Sequence, residues 1–447
     1  MKSIENHLVY KRKKFYDYAL AFLALLMPLV VKGFPILIII TACIGIVYFF
    51  RAYQRLGKPK KDYYFLPYNL LRDGLLKIIK ERNAMFFMVI LFFVYCISLL
   101  FSEDIENAGG KIILKSCYIY FPLIFSLTKW DKDKLIRVID FFLVGCVLQV
   151  FISYIDAYFQ SGWKYNPAEF YYTKLSFNLH PSYAAFFISI GFILNCARII
   201  QLIKMKQRAF YIFIRLIFLI AFAVYIVMLS SKSGLLSLTI SVITMLFYAF
   251  YCFKSRRMIL IGSFCVVLLV GSGVFLFGER AAIKFSEMGR SLKNKNSIRN
   301  KSAKMSSSAT RLVLWENSLI AIENSNYMGY GLGDGKQKLQ DQLAKNGEEF
   351  VLYKNYNSHN QFLETTLSIG LIGLILLLLI ISLGTFRFVG EFTTVYILLG
   401  VIIIVNLSVE SMMEKQAGSI AIVWLLCLLV SAKDSFKTVF NFKSGLR

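Results

Sequence analysis

Apolar residues run along this chain in long blocks, without the two-residue alternation of a half-buried strand or the 3.6-residue stripe of a surface helix. Each block comes close to the roughly 20 residues that a helix needs to cross a hydrocarbon core about 30 Å thick. The blocks predict spans at 17–31, 33–50, 84–102, 111–127, 135–156, 181–200, 210–229, 233–252, 258–277, 360–384, 391–408 and 417–431. The expected fold class is an all-α polytopic membrane protein of about 12 transmembrane helices. The first block follows Lys11-Arg12-Lys13-Lys14 and has no small-residue cleavage site after it, so it reads as a retained helix. Only Lys32 and Gly33 separate it from the second, and the pair reads equally as a hairpin dipping into the membrane.

The breaks between blocks set the orientation. With the N-terminus inside, the segments 1–16, 51–83, 128–134, 198–209, 253–257, 385–390 and 432–447 face the cytoplasm, and they carry more than half of the 51 Lys and Arg. The short opposite loops 103–110, 230–232 and 409–416 carry only Lys232 and Lys415. Short basic loops are retained on the cytoplasmic side, so both termini are expected there. Composition agrees: 57% hydrophobic against 17% charged is too apolar for a soluble domain. Most of the net charge of +25 belongs to this topology signal, which removes the reason to expect nucleic acid as a partner. The eight Cys all fall in predicted spans without paired spacing, and the three His form no cluster with carboxylates, so no disulfide framework and no metal or other cofactor is expected.

One opposite-side segment is long, Gly278 to Ser358, and long loops escape the positive-inside rule. It divides the chain into spans one to nine (1–277), an outer loop domain (278–358), and the last three spans with a cytoplasmic tail (359–447). From Gly278 to Arg311 the loop holds nine Lys or Arg against Glu279 and Glu287, which suits either a solvated segment near anionic headgroups or a surface attracting phosphate-bearing substrates. Leu312 to Ile322 reads as an amphipathic helix with Thr310 as its N-cap. Gly329, Gly331, Gly333 and Gly335 then predict a turn; alternating glycines can cradle phosphate, but here they face away from cytoplasmic nucleotides. The loop Ala157 to His180 carries Trp163, Tyr165, Phe170, Tyr171, Tyr172 and Phe177, an interfacial belt or a surface for stacking on sugars.

Candidate chemistry gathers at the same outer face. His180, in Asn178-Leu179-His180-Pro181-Ser182-Tyr183, and His359, in Asn357-Ser358-His359-Asn360-Gln361, each stand at the outer edge of a span. Near them in topology lie Ser230-Ser231-Lys232-Ser233-Gly234, Arg311, and Glu410-Ser411-Met412-Met413-Glu414-Lys415-Gln416. Polar groups at span ends that face a bundle are costly without a function. Taken alone, Lys232 can be read as snorkelling to the headgroups, Glu410 and Glu414 as a solvated turn. An unperturbed imidazole, titrating near ~6.5, can accept a proton at neutral pH, and fixed cations can hold a departing diphosphate without a metal.

The ordered set of motifs resembles the O-antigen ligase and polymerase family. The strongest match is His359-Asn360 with Gly370 and Gly373 following at helix spacing, preceded by a large outer loop with Arg311 in its helical part. Ser231-Lys232-Ser233-Gly234 resembles the family's Ser-Arg motif, with Lys where Arg is expected; Lys keeps the charge but lacks the bidentate fork. Glu410-Ser411 and Gln416-Ala417-Gly418 resemble a motif of the C-terminal helix pair. The resemblance implies a metal-independent, inverting transfer of a polysaccharide from undecaprenyl diphosphate to the terminal sugar of the lipid A core. In that reading His359 is the general base, Arg311 and Lys232 hold the diphosphate, and His180, Tyr183, Asn360, Glu410, Glu414 and Gln416 bind or orient substrate.

Two sister functions stay open. A polymerase would extend a lipid-linked glycan and often carries two sizeable outer loops, whereas one loop dominates here. A protein O-oligosaccharyltransferase would need a Ser or Thr acceptor. The rival class is a polysaccharide or lipid transporter, which would be expected to show paired halves and charges at mid-membrane, while polar residues here collect at one face.

Overall fold

The computed structural model describes residues 16–29, 40, 43, 66–164, 166, 168–253, 307–386 and 393–440, and among them there is no strand. The predicted spans 33–50 and 258–277, the cationic stretch before residue 307, and Tyr165 of the aromatic loop lie outside the described residues, apart from Ile40 and Cys43. Among the described residues seven helices are long and apolar enough to cross a membrane, or eight if the pair Gln416–Ser431 and Lys433–Phe440, bent by 75°, is one span. The chain is therefore a multi-pass helical membrane protein. The count of twelve is not reached among the described residues: the first and eleventh spans appear as shorter apolar helices, Tyr16–Leu26 and Thr394–Val409.

In chain order the helices are α1 (Tyr16–Leu26), α2 (Leu66–Glu81), α3 (Ala84–Ser98), α4 (Ile105–Lys115), α5 (Cys117–Leu127), α6 (Lys132–Gln160), α7 (Pro181–Lys204), α8 (Ala209–Leu229) and α9 (Lys232–Phe253). The loop domain supplies α10 (Ser307–Asn324), α11 (Gly335–Lys345) and α12 (Glu349–Tyr353). The chain then returns through α13 (Gln361–Ile381), α14 (Thr393–Val409), α15 (Gln416–Ser431) and α16 (Lys433–Phe440). Two bounds differ from the sequence pattern in instructive ways. The predicted cytoplasmic segment 51–83 contains α2, which leaves Leu75, Leu76 and Ile79 exposed beside Arg72 and Lys80, as a helix lying in a headgroup layer would. Thr310 is not an N-cap: α10 begins at Ser307, because Ala309 and Thr310 are buried and packing carries the helix backward past the cap signal.

α7 is the central helix, with 83% of its most apolar window buried, whereas α8 and α9 bury 28% and 22% of theirs. Small residues let it be central: a Cβ placed on Gly234 of α9 would stand 2.5 Å from Ala185 of α7, an approach that only glycine permits. The outward faces of α8 and α9 expose Phe210, Phe213, Ile220, Leu236 and Phe247, apolar side chains that suit lipid contact. At the end of the bundle away from the loop domain, Asp140 of α6 meets Arg198 of α7 at 3.0 Å and Arg215 of α8 at 2.7 Å, tying three helices together.

The loop domain is locked onto α13 where that helix breaks. Ile369 and Gly370 leave helical geometry, Gly370 at φ +68° and ψ −166°, a region open essentially to glycine alone. The break frees the carbonyls of Leu367 and Ser368, which accept from the N–H groups of Tyr330 and Gly331 at 2.9 Å each, while Leu371 N–H donates to Tyr327 O at 3.0 Å. A broken helix at this depth is tolerated because a neighbouring segment satisfies its backbone. Three of the four alternating glycines thus form a clasp: the N–H groups of Gly331, Gly329 and Gly333 donate to Ser368 O, Ser325 Oγ and Ser102 Oγ, which favours the loop over the phosphate cradle. On the far side Asp334 accepts from the N–H groups of Glu103 and Asp104 at 2.8 and 3.0 Å, anchoring the same turn to the start of α4.

Candidate functional site

His359 is delivered by a turn built around the N-terminus of α13. Asn360 is the N-cap, its Oδ1 accepting from Phe362 N–H at 2.9 Å and Leu363 N–H at 3.3 Å. Its role is to start the helix, and the residue before it takes the strain: His359 adopts φ +46°, an uncommon conformation for a side chain other than glycine or asparagine. Ser358 fixes that conformation from the other side. Its N–H and Oγ–H both donate to Oε2 of the buried Glu364, at 3.1 and 2.7 Å.

Nδ1 of His359 lies 2.9 Å from Oε1 of Glu410, and Tyr356 packs edge-on against the imidazole, ring centres 5.3 Å apart. Glu410 is largely buried, which by itself would push its carboxyl up, but the hydrogen bond and charge of His359 with the nearby Arg311 and His180 hold it below the ordinary carboxylate range. Glu410 is therefore a carboxylate at neutral pH and can only accept. In the neutral imidazole Nδ1 therefore carries the proton, which leaves the lone pair on Nε2. No side chain among the described residues bonds to Nε2. Nη2 of Arg311 stands 3.6 Å from Oε2 of Glu410, so one carboxylate links histidine and arginine.

Lys232 opens α9 and donates from Nζ to Ser308 Oγ at 2.5 Å, one helical turn before Arg311 on α10. Ser231 reaches Ser182, beside His180, at 3.5 Å. His180 is the N-cap of α7 and meets Tyr183 edge-on. Burial lowers its proton affinity; Glu410 opposes that, while His359 and Arg311 add to it, so His180 stays neutral at pH 7. Lys232, Arg311, His180, His359 and Glu410 thus stand in one group.

Glu414 stands apart from that group. Burial would raise its carboxyl, but Lys115 and Lys111 beside it hold it down at about 2. Lys115, wholly buried, gives its Nζ to Glu414 Oε1 and to Met413 O at 2.7 Å each. Gln361 completes the hinge, accepting from Met413 N–H at 2.7 Å and reaching Glu414 at 3.4 Å. Glu414 is therefore a structural counter-ion that holds the 410–414 turn against α4 and α13. Gln416 begins α15, and no hydrogen bond joins its side chain to this cluster among the described residues.

Sequence reasoning missed Lys111, Lys115, Ser358, Gln361 and Glu364. Two of them carried a signal: Lys111 and Lys115, one helical turn apart at the start of a predicted span, are intramembrane-edge charges, which seldom lack a partner.

Residues 216–378 match a family model described as O-antigen ligase. That stretch holds Lys232, Arg311, His359 and Asn360, while His180, Glu410 and Glu414 lie outside it. An uncharacterized protein of Haemophilus influenzae is 35% identical over 95 residues, 21% of this chain and 24% of the relative, so the similarity spans about a quarter of that protein's length.

Proposed function

We propose, from the premise that residues 216–378 carry the O-antigen ligase family domain, that this chain transfers a polysaccharide from undecaprenyl diphosphate to the lipid A core at the periplasmic face of a bacterial inner membrane. The observation that supports it best is the Arg311–Glu410–His359 relay, which sets a proton acceptor beside a fixed cation with no need of a metal.

In this reading Nε2 of His359 takes the proton from the acceptor hydroxyl as that oxygen attacks the anomeric carbon from the face opposite the diphosphate. The bond from that carbon to the diphosphate oxygen breaks, its electron pair leaves with undecaprenyl diphosphate, and the configuration inverts. Arg311 and Lys232 stabilise the charge developing on the leaving group. Glu410 keeps the productive tautomer and stabilises the imidazolium that forms. His180 and Tyr183 stand beside this group, where a neutral imidazole and a phenol suit hydrogen bonding to sugar hydroxyls. Donor lipid would reach the site from the bilayer.

The test is glycan attachment to lipid A core in cells deleted for their own transferase and complemented with wild type or His359→Ala, read as a ladder on a gel. The ligase reading expects a ladder with wild type and none with His359→Ala at equal expression. Lengthened lipid-linked chains over unmodified core would make the protein a polymerase, and glycan on Ser or Thr of a protein would make it a protein O-oligosaccharyltransferase.

A further inference from the structure

His359 and Glu410 meet between two further ties that join the same two segments. One residue before the histidine, Ser358 Oγ lies 3.3 Å from Ser411 Oγ, one residue after the glutamate. Two residues after the histidine, Gln361 Oε1 accepts from Met413 N–H at 2.7 Å. The reacting pair is thus the middle of three rungs between the entry to α13 and the 410–414 turn. An imidazole carried on backbone at φ +46° stays in place only where its surroundings over-determine it.

The Ser358 rung ends on a carboxyl group. Glu364 is only 1% exposed, and a carboxyl buried that deeply is costly unless its hydrogen bonds are made. Both hydrogen bonds that its side chain accepts among the described residues come from Ser358, from N–H at 3.1 Å and from Oγ–H at 2.7 Å. A hydroxyl has one proton to give, and the contact with Glu364 is shorter than the one with Asn360 O at 2.9 Å. With its proton directed to Glu364, Ser358 Oγ becomes an acceptor for the Ser411 hydroxyl. Starting the helix requires none of this, since Asn360 already caps α13. What the chain Ser411–Ser358–Glu364 fixes is the peptide before His359 and the residue after Glu410. We propose that Glu364 is a positioning residue: acting through Ser358 and Ser411, it holds His359 against Glu410 so that Nδ1 keeps the proton and Nε2 stays basic. The effect on rate rests on the transferase reading of the site; the effect on the imidazole does not. With the clamp removed, the ring leaves Glu410 and takes the tautomer that prevails in water, with the proton on Nε2.

The experiment uses the full chain in nanodiscs, labelled with 15N at histidine and observed by NMR above the titration range of an ordinary imidazole. The chain has three His, so the spectrum is simple, and His359→Ala identifies the signals of His359. Ring 15N shifts distinguish a proton on Nδ1 from one on Nε2. Wild type should show Nδ1–H. Glu364→Ala should move His359 toward Nε2–H and lower kcat for transfer by about 10–10², the scale of a misplaced catalytic group, with KM for donor and acceptor unchanged. Glu364→Gln, whose amide oxygen can accept the same two bonds, should restore both readouts. Ser358→Ala keeps the backbone N–H to Glu364 and is the gentler change; it should shift both readouts in the same direction, and it decides the question if Glu364→Ala does not fold. A wild-type tautomer in Ser358→Ala and Glu364→Ala would overturn the assignment. So would a Glu364→Gln variant as impaired as Glu364→Ala, since the residue would then supply charge, or a raised KM with kcat unchanged, since it would then shape binding. If the tautomer shifts as expected while wild type shows no His359-dependent transfer, the transferase reading fails and the clamp on the imidazole stands.

Discussion

Nδ1 of His359 and Oε1 of Glu410 meet at 2.9 Å although 51 residues separate them in the chain. The pairing joins the start of α13 to the turn after α14, and it decides which imidazole nitrogen is basic. Replacing His359 by Ala should lower transfer by about 10²–10⁴, the range for loss of a general base. Glu410→Gln tests the pairing more finely. The amide fills the same space, but it cannot stabilise the imidazolium and can present its NH2 to Nδ1, which favours the wrong tautomer. The expected loss is again about 10²–10⁴ in kcat with little change in KM for either substrate. An unchanged kcat would remove Glu410 from the mechanism.

Arg311 and Lys232 lie on one side of the loop-domain helix, linked through Ser308, and the donor's leaving group is their expected ligand. Arg311→Ala should cost about 10²–10³ in kcat, as loss of a donor to developing charge does elsewhere. Arg311→Lys should recover only part of it, since the planar fork is lost. Lys232→Arg should hold or raise activity, because it restores the residue type expected at that motif. Steady-state kinetics with donor varied at saturating acceptor would check all three, and a Lys232→Arg variant as inactive as Lys232→Ala would argue for a purely structural lysine.

Much of this site was legible in the sequence because polar residues at the ends of long apolar blocks are few and stand out. His180, Lys232, His359 and Glu410 could be picked on that ground and their common side followed from counting spans, whereas Arg311, inside the long outer loop, is singled out by the family resemblance. Their pairing could not be read, since nothing in a linear pattern says that Glu410 rather than Glu414 reaches His359. The two glutamates are four residues apart in one turn, yet one joins the histidine and the other is claimed by Lys115. Glu364 stayed hidden for a different reason. It sits among apolar residues at the head of α13, where it reads as a first-turn acidic residue favouring the helix dipole, and only the fold turns it toward Ser358. Thr310 misled because cap chemistry is a local signal that packing of α10 overrode.

The clasp between loop domain and α13 makes a sharp demand on Gly370. A Cβ there would stand 2.4 Å from Tyr327 O, and the residue's φ and ψ are closed to L side chains. Gly370→Ala should therefore destabilise the protein by about 3 kcal/mol or more, through strain and the loss of the Leu371–Tyr327 bond. Gly109→Ala makes the control, since nothing lies within 4 Å of its Cβ position and it is inside helix α4; alanine there should be neutral or stabilise by roughly 0.5–1 kcal/mol. Thermal unfolding of the purified variants in detergent, followed by tryptophan fluorescence, distinguishes the two. Equal melting temperatures would mean the break in α13 is not clamped.

Glu414 carries a pronounced pH signature. Its carboxyl is held at about 2 against an ordinary 4.5, so the folded state binds its proton less readily than the unfolded chain does. A depressed carboxyl contributes stability that is complete above the unfolded value and declines as pH falls from about 4.5 toward 2. Glu414→Gln removes that contribution and leaves the wholly buried Lys115 without its counter-ion, so the variant should lose roughly 3–5 kcal/mol at neutral pH. The gap in melting temperature between wild type and Glu414→Gln should then be constant from pH 7 down to about 5 and narrow progressively below about 4.5 as wild type itself becomes protonated there. A gap that stayed constant to pH 3 would mean that the lysines are satisfied by carbonyls such as Met413 O, and that the carboxylate does not hold the turn carrying Glu410 against the bundle.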